Sequence, residues 1–130
     1  MNLNIYYFIN EFDKNEIEKL SSNISIIYRN YEKKKNYAEL KGLVTLCKKK
    51  RQKIYISNDL KSAIQLNFNG IYIPSFNKNL SFKNISRNNL EIIGSAHNFE
   101  ELKTKEKQGC SIIFLSPVFE NNKKKISWNN

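Results

Sequence analysis

The stretch from Leu90 to Lys125 reads LEIIGSAHNFEELKTKEKQGCSIIFLSPVFENNKKK and decides the fold. The apolar run Leu90–Gly94 predicts a buried strand, and Asn98 predicts the start of a helix after a short polar turn. A Gly-Cys break follows that helix, and Ser111–Leu115 predicts a second buried strand. The stretch is therefore one strand–helix unit that runs into the next, which is the repeating unit of α/β folds.

The same alternation recurs towards the amino terminus. Runs of apolar, β-branched and aromatic residues predict four earlier strands, at Asn4–Ile9, Asn23–Arg29, Lys53–Ser57 and Ile71–Ile73. The strands are too apolar to face water on either side, which is typical of a parallel sheet covered by helices.

Helices are predicted between these strands. Pairs with capping-box spacing start two of them, Asp13 with Glu16 and Asn36 with Glu39, and the second pair precedes an apolar stripe of Leu40, Leu43, Val44 and Cys47. A third helix is predicted after Ser57 or Asn58 as its cap, with Leu60, Ala63 and Ile64 on its inner face. Residues 74–89 predict a loop with one short helix near Phe82–Ile85.

The length allows one α/β domain over residues 1–130, with about six strand–helix units. Two architectures fit, an open doubly wound sheet and a (β/α)₈ barrel. A closed eight-stranded barrel needs roughly 200–250 residues. Length alone therefore favours the open sheet.

Composition restricts the classes of function. The net charge is +10, but lysine is spread along the chain, so nucleic acid is not the expected partner. No apolar run is long enough to span a membrane, and the first ten residues lack a signal-peptide pattern. Cys47 and Cys110 match no metal spacing and predict reduced thiols in a cytoplasmic protein. Motifs for a Gly-rich phosphate loop, a hydrolase triad and a zinc site are absent.

Polar residues follow several predicted strands, at the end where α/β folds hold their ligands. Arg29 ends the second strand and can hold a phosphate group with two hydrogen bonds. Asn58 and Asp59 follow the third strand, either as hard oxygen ligands for Mg²⁺ or as a helix cap. Ser95 and His97 follow the fifth strand, and a lone histidine there is more often a capping residue than a catalyst. The lysines at 123–125 follow the sixth strand and suit an anion-binding loop.

The order of motifs resembles the thiamine phosphate synthase family, which includes the thiazole tautomerases. The matching segments are Ile27-Tyr28-Arg29, Ile56-Ser57-Asn58-Asp59, Gly94-Ser95-Ala96-His97 with Phe99-Glu100-Glu101, and Ser116-Pro117-Val118-Phe119. The resemblance implies a TIM-type (β/α)₈ barrel that is incomplete here, with about six units present and the last two lacking. It therefore overrides the length argument.

The resemblance also implies a transferase of thiamine biosynthesis, which joins hydroxymethylpyrimidine pyrophosphate to thiazole phosphate and releases pyrophosphate. By this likeness Arg29, Asn58, Ser95, His97 and Lys124 are expected to bind substrate. Asp59 is expected to bind Mg²⁺, the implied cofactor. Asn77 stands where the family has a second carboxylate for the metal.

Two other functions remain open on the sequence. One is a non-catalytic protein of the same descent that binds a phosphate or a pyrimidine. The other is a basic module that contacts nucleic acid, with affinity that falls steeply with salt. An open edge after the sixth strand also predicts self-association, because unpaired backbone groups at a sheet edge can pair with another chain.

Overall fold

The computed structural model describes residues 4–31, 35–84, 89–116, 118–121 and 124–127; at 83–84, 118–121 and 124–127 it describes the backbone alone. The chain forms two units, Met1–Gly70 and Ile71–Asn130. None of the described helices is long and apolar enough to span a membrane. The predicted single domain over residues 1–130 stays a prediction.

The first unit contains three parallel strands in chain order, β1 (Ile5–Ile9), β2 (Ile24–Tyr28) and β3 (Ile54–Ser57). Ile9 is paired with Tyr28, and Tyr28 is paired with Ile56. The carboxyl ends of the three strands therefore lie side by side. All four residues of β3 are buried, as its unbroken apolar run predicts.

Helix α1 (Lys14–Lys19) follows β1 and helix α2 (Tyr37–Lys49) follows β2. The predicted stripe of α2 is confirmed, because Leu40, Leu43, Val44 and Cys47 are all buried. Asn36 caps α2 by accepting a hydrogen bond from the Glu39 amide at 3.1 Å. The Glu39 carboxylate accepts from the Phe12 amide at 2.8 Å, so it ties α2 to the segment after β1.

Helix α3 (Leu60–Gln65) differs from its prediction at the start and on its inner face. Asp59 is the cap, in place of Ser57 or Asn58, and its carboxylate accepts from the Ser62 amide at 3.0 Å. Ser62 is buried beside Ala63, and Ile64 is 44% exposed, so the predicted inner face is wrong at Ile64.

The second unit takes in strand β4 (Gly70–Ile73) from Ile71 onwards, then a 3₁₀ helix (Leu80–Asn84), strand β5 (Glu91–Ala96), helix α4 (Phe99–Lys107) and strand β6 (Ile112–Leu115). Strands β5 and β6 are parallel, with Ala96 paired with Leu115. The predicted strand–helix alternation and parallel pairing are confirmed here as well.

Two further strands, β7 (Val118–Asn121) and β8 (Lys124–Ser127), pair antiparallel in a separate sheet. The predicted lysine loop over residues 123–125 is therefore wrong at Lys124, whose backbone pairs with Asn121. Two strands joined by two residues form a hairpin, in which the backbone groups pair locally.

Two polar side chains of the second unit are buried. Lys105 and Gln108, at the carboxyl end of α4, are both fully buried. The Lys105 ammonium donates to the Asn77 carbonyl at 3.0 Å, and the Gln108 amide nitrogen donates to the same carbonyl at 2.8 Å. The two side chains hold the segment after β4 against α4. Charged groups are buried in proteins when they have such partners.

Candidate phosphate-binding site

Arg29, which was predicted to end the second strand, lies directly after β2, and its side chain is exposed. Its amide donates to the Ile9 carbonyl at 2.8 Å, which continues the β1–β2 pairing by one residue. The guanidinium carbon lies 4.3 Å from the centre of the Phe8 ring, a cation–π distance. The arginine is therefore held over β1, with its donors open to solvent.

A cleft of about 280 Å³ lies beside Arg29. Its other lining residues are Phe8, Ile9, Asn10, Glu11, Asp13 and Glu16. The Tyr7 hydroxyl donates to the Glu16 carboxylate at 2.9 Å, and that hydrogen bond and the nearby negative charge raise the pKa of Tyr7. The cleft thus combines one guanidinium with three carboxylates. A bound anion would contact the arginine in competition with these acids.

Hydroxyl and amide groups lie at the carboxyl end of β3. The buried Ser57 hydroxyl donates to the Tyr31 hydroxyl at 3.1 Å. Asn58 has a left-handed backbone with φ of 63°, a conformation that asparagine tolerates better than most residues. Asn58 thereby turns the chain from β3 into α3. The predicted role of Asn58 in substrate binding stays a prediction.

Asp59 uses both of its carboxylate oxygens. Oδ1 accepts from the Ser62 amide at 3.0 Å, and Oδ2 forms an ion pair with the Lys35 ammonium. The Asp59 side chain is 8% exposed and that of Lys35 is 52% exposed. Burial alone would raise the pKa of Asp59, but the hydrogen bonds from Lys35 and Ser62 outweigh it and lower the pKa. Asp59 is therefore ionised and already has a cation.

Mg²⁺ prefers several oxygen ligands in octahedral geometry. In the ranges that the structure describes, no group of three or more His, Cys, Asp or Glu side chains could hold a metal ion. The second oxygen of Asp59, Oδ2, already faces the Lys35 ammonium. The arrangement around Asp59 does not fit a resident Mg²⁺.

In the second unit, Ser95 and Tyr72 lie together. Their hydroxyls are 2.5 Å apart, and either oxygen can donate. The Tyr72 ring packs against Phe114 with ring centres 6.3 Å apart. Sequence analysis placed Ser95 in a turn, but β5 continues to Ala96, so Ser95 is a strand residue. Its hydroxyl is thereby fixed beside a tyrosine on a neighbouring strand.

His97 lies between β5 and α4 and is exposed. Its amide donates to the Glu101 carboxylate at 2.7 Å, and Nδ1 is 3.3 Å from the same oxygen. Asn98 caps α4 by accepting from the Glu101 amide at 2.9 Å. His97 therefore contributes to the start of α4, which was the alternative to a binding role. The side chain of Lys124 lies outside the described residues.

Sequence analysis missed three side chains at these strand ends, Lys35, Tyr31 and Tyr72. Lys35 ends a lysine run, a pattern that is usual for solvated surface. Its position could have indicated a role, because Lys35 directly precedes Asn36, the cap of α2, and the start of that helix lies near the carboxyl ends of the strands. The two tyrosines carried no local signal, because their partners Ser57 and Ser95 are remote in sequence.

Comparison with known proteins identifies the family of the chain and its fold. The family model for thiamine monophosphate synthase matches residues 16–127. The thiamine-phosphate synthase of Flavobacterium johnsoniae is 27% identical over 106 residues, which cover 80% of this chain and 50% of that protein. The chain therefore spans about half the length of this curated relative.

The structure is similar to that of thiamine phosphate pyrophosphorylase from Pyrococcus furiosus, with a TM-score of 0.68 and 18% identity. The match covers 95% of this chain and 65% of that one. At this identity it shows the fold, which is the expected incomplete TIM-type (β/α) barrel. Because the family model covers most of the sequence, the chain belongs to the thiamine monophosphate synthase family.

Proposed function

We propose that the chain binds the pyrophosphate group of hydroxymethylpyrimidine pyrophosphate and takes part in its coupling to thiazole phosphate. The observation that carries this proposal is the placement of Arg29 at the carboxyl end of β2, with its guanidinium exposed beside a polar cleft. A guanidinium matches phosphate oxygens in pairs, which gives both affinity and orientation.

In the proposed reaction, the bond between the pyrimidine methylene carbon and the pyrophosphate oxygen breaks. The electron pair leaves with pyrophosphate, and the thiazole nitrogen forms the new bond to that carbon. Negative charge therefore grows on the leaving group. Arg29 would stabilise this charge without any transfer of a proton. The substrate-binding roles expected for Asn58, Ser95, His97 and Lys124 stay predictions.

The proposal is tested by calorimetric titration with hydroxymethylpyrimidine pyrophosphate. We expect Arg29→Ala to bind about 10- to 100-fold more weakly than the unaltered chain, because hydrogen bonds to charged groups contribute about 1.5–3 kcal/mol. Arg51→Ala is the matched control, since Arg51 is an exposed arginine after α2 and should leave affinity unchanged. Equal binding by both variants would contradict the role of Arg29.

A turnover assay with thiazole phosphate then separates an enzyme from a binding protein. Formation of thiamine phosphate and pyrophosphate in equal amounts supports the full reaction. Binding that depends on Arg29, without product, supports the non-catalytic alternative. The predicted cytoplasmic location stays a prediction.

We also propose that copies of the chain associate through β1. In the described part of the chain, β1 is the first strand of the sheet and pairs with β2 on one side. Its residues Ile5, Tyr7 and Phe8 are 47%, 38% and 36% exposed. We expect Ile5→Lys to weaken association by roughly tenfold or more, because a charge on an edge strand opposes pairing. Sedimentation velocity at micromolar concentrations measures this change.

The control for this prediction is Ile64→Lys, which places the same charge on α3 at a residue that is 44% exposed. It should associate as the unaltered chain does. A sedimentation profile of a strict monomer for the unaltered chain would overturn the proposal.

A further inference from the structure

The carboxylate of Asp59 is almost completely buried at the end of β3, and a buried carboxylate needs a positive partner. Its Oδ1 is used by the Ser62 amide as the cap of α3. Among the residues that the structure describes, a cation faces Oδ2 alone, and that cation is the ammonium of Lys35. The position beside Oδ2, where a metal ion would bind, is therefore occupied by the Lys35 ammonium.

The ammonium of Lys35 has donors to spare. A lysine ammonium carries three donors, and the carboxylate of Asp59 takes one of them. The Lys35 side chain is 52% exposed, so the same nitrogen can reach solvent and a dissolved anion. A divalent ion has no comparable place, because it would have to share Oδ2 with a positive charge a few ångströms away.

We propose that Lys35 takes the place of a divalent metal ion at Asp59 and bridges this carboxylate to a phosphate group of the ligand. This inference rests on the proposed function for the identity of the ligand. Its consequence is that the affinity for pyrophosphate does not depend on Mg²⁺. The exposed ammonium makes the binding sensitive to salt, because charges near the surface are screened.

The first experiment needs no substrate and follows Mn²⁺ binding by electron paramagnetic resonance. We expect no binding at Asp59 in the unaltered chain. Lys35→Gln removes the charge that competes for Oδ2, so its affinity for Mn²⁺ should rise on the order of tenfold or more. The double variant Lys35→Gln with Asp59→Asn should lose this gain. Lys41→Gln removes another exposed lysine, on α2, and should resemble the unaltered chain.

The second experiment titrates inorganic pyrophosphate into the same proteins, in excess chelator and in excess Mg²⁺. We expect the unaltered chain to bind equally in both buffers within about twofold. Lys35→Gln should lose roughly tenfold in chelator, and Mg²⁺ should restore much of the loss. Lys35→Arg keeps the charge and should bind without metal. Urea unfolding of each variant checks that the fold is intact.

The outcomes separate this inference from the proposed function. Mn²⁺ binding by the unaltered chain that is lost in Asp59→Asn overturns the assignment of Lys35, and so does pyrophosphate binding that requires Mg²⁺. If no protein binds pyrophosphate while Lys35→Gln gains Mn²⁺, the proposed ligand is overturned and Lys35 is supported as the cation at Asp59.

Discussion

Replacement of Gly94 by alanine is expected to lower the free energy of unfolding by about 3 kcal/mol, since overpacking of a filled core costs about that much. Gly94 is a buried residue of β5. A β-carbon there would lie 2.8 Å from Cδ of Lys105, 2.9 Å from the carbonyl oxygen of Ile73 and 3.0 Å from the sulfur of Cys110. The Ile73 oxygen belongs to the backbone of β4 and cannot rotate away.

Urea unfolding followed by circular dichroism measures this loss. Gly42→Ala is the matched control, because its β-carbon would meet only the Phe12 ring edge, at 3.3 Å. Alanine also favours helix over glycine by about 1 kcal/mol, and Gly42 is inside α2. Gly42→Ala should therefore be neutral or slightly stabilising. Equal stability of the two variants would show that the close approach at Gly94 is not maintained in solution.

The second large effect is expected at Lys105. Lys105→Ala should cost about 3 kcal/mol, because it removes a fully buried side chain and leaves a cavity in its place. Lys105→Met keeps most of the volume, and the Asn77 carbonyl still accepts from Gln108 at 2.8 Å. We expect Lys105→Met to differ from the unaltered chain by less than about 1.5 kcal/mol. If Lys105→Met loses as much stability as Lys105→Ala, the charge of Lys105 contributes more than its packing.

The pH dependence gives an independent test of the buried ammonium. Burial lowers the pKa of Lys105 in the folded state below its value of 10.5 in the unfolded chain. The cost of burying the charge is therefore complete below the folded pKa and disappears as the pH rises towards 10.5. Relative to Lys105→Met, the unaltered chain should gain stability over this range.

The variants are compared at each pH because ionisation of the neighbouring Cys110 thiol lowers the stability as the pH rises, whereas deprotonation of Lys105 increases it. Burial raises the pKa of Cys110 to about 11, so the unfolded state ionises first and stability falls as the pH rises above 9. The burial of the thiol is common to both proteins and cancels in the difference in unfolding free energy, which leaves the lysine and its coulombic interaction with the thiol. A difference that stays constant with pH would contradict a lowered pKa of Lys105.

The periodicity of apolar residues was sufficient to predict the strands and α2. Each of β1 to β6 lies within about two residues of its predicted bounds, because runs of apolar, β-branched and aromatic residues favour strands. The expectation that no strand faces water is wrong for β1, where Ile5, Tyr7 and Phe8 are exposed. The stripe of α2 was equally clear, since four residues at helical spacing face one core. These features depend on local sequence alone.

Side chains whose role depends on distant partners could not be predicted in this way. Lys35 and Lys105 look alike in sequence, yet one forms an ion pair with Asp59 and the other is buried against a carbonyl 28 positions earlier. The cap of α3 was wrong because several adjacent polar residues could have filled that position, and Asp59 does so. Ser95 and Tyr72 are in contact because their strands are neighbours in the sheet. The sequence around either residue does not indicate this pairing.

The order of the strands has a consequence for how the protein forms. In the first unit, β1, β2 and β3 lie side by side in the order in which they are synthesised, and in the second unit β5 pairs with β6, the next strand in the chain. Each pairing joins a strand to the next one along the chain, so the loop that it closes is shorter than in a pairing between strands remote in sequence, and its entropic cost is lower. The first unit can therefore assemble its three strands on the ribosome while the second is still being translated.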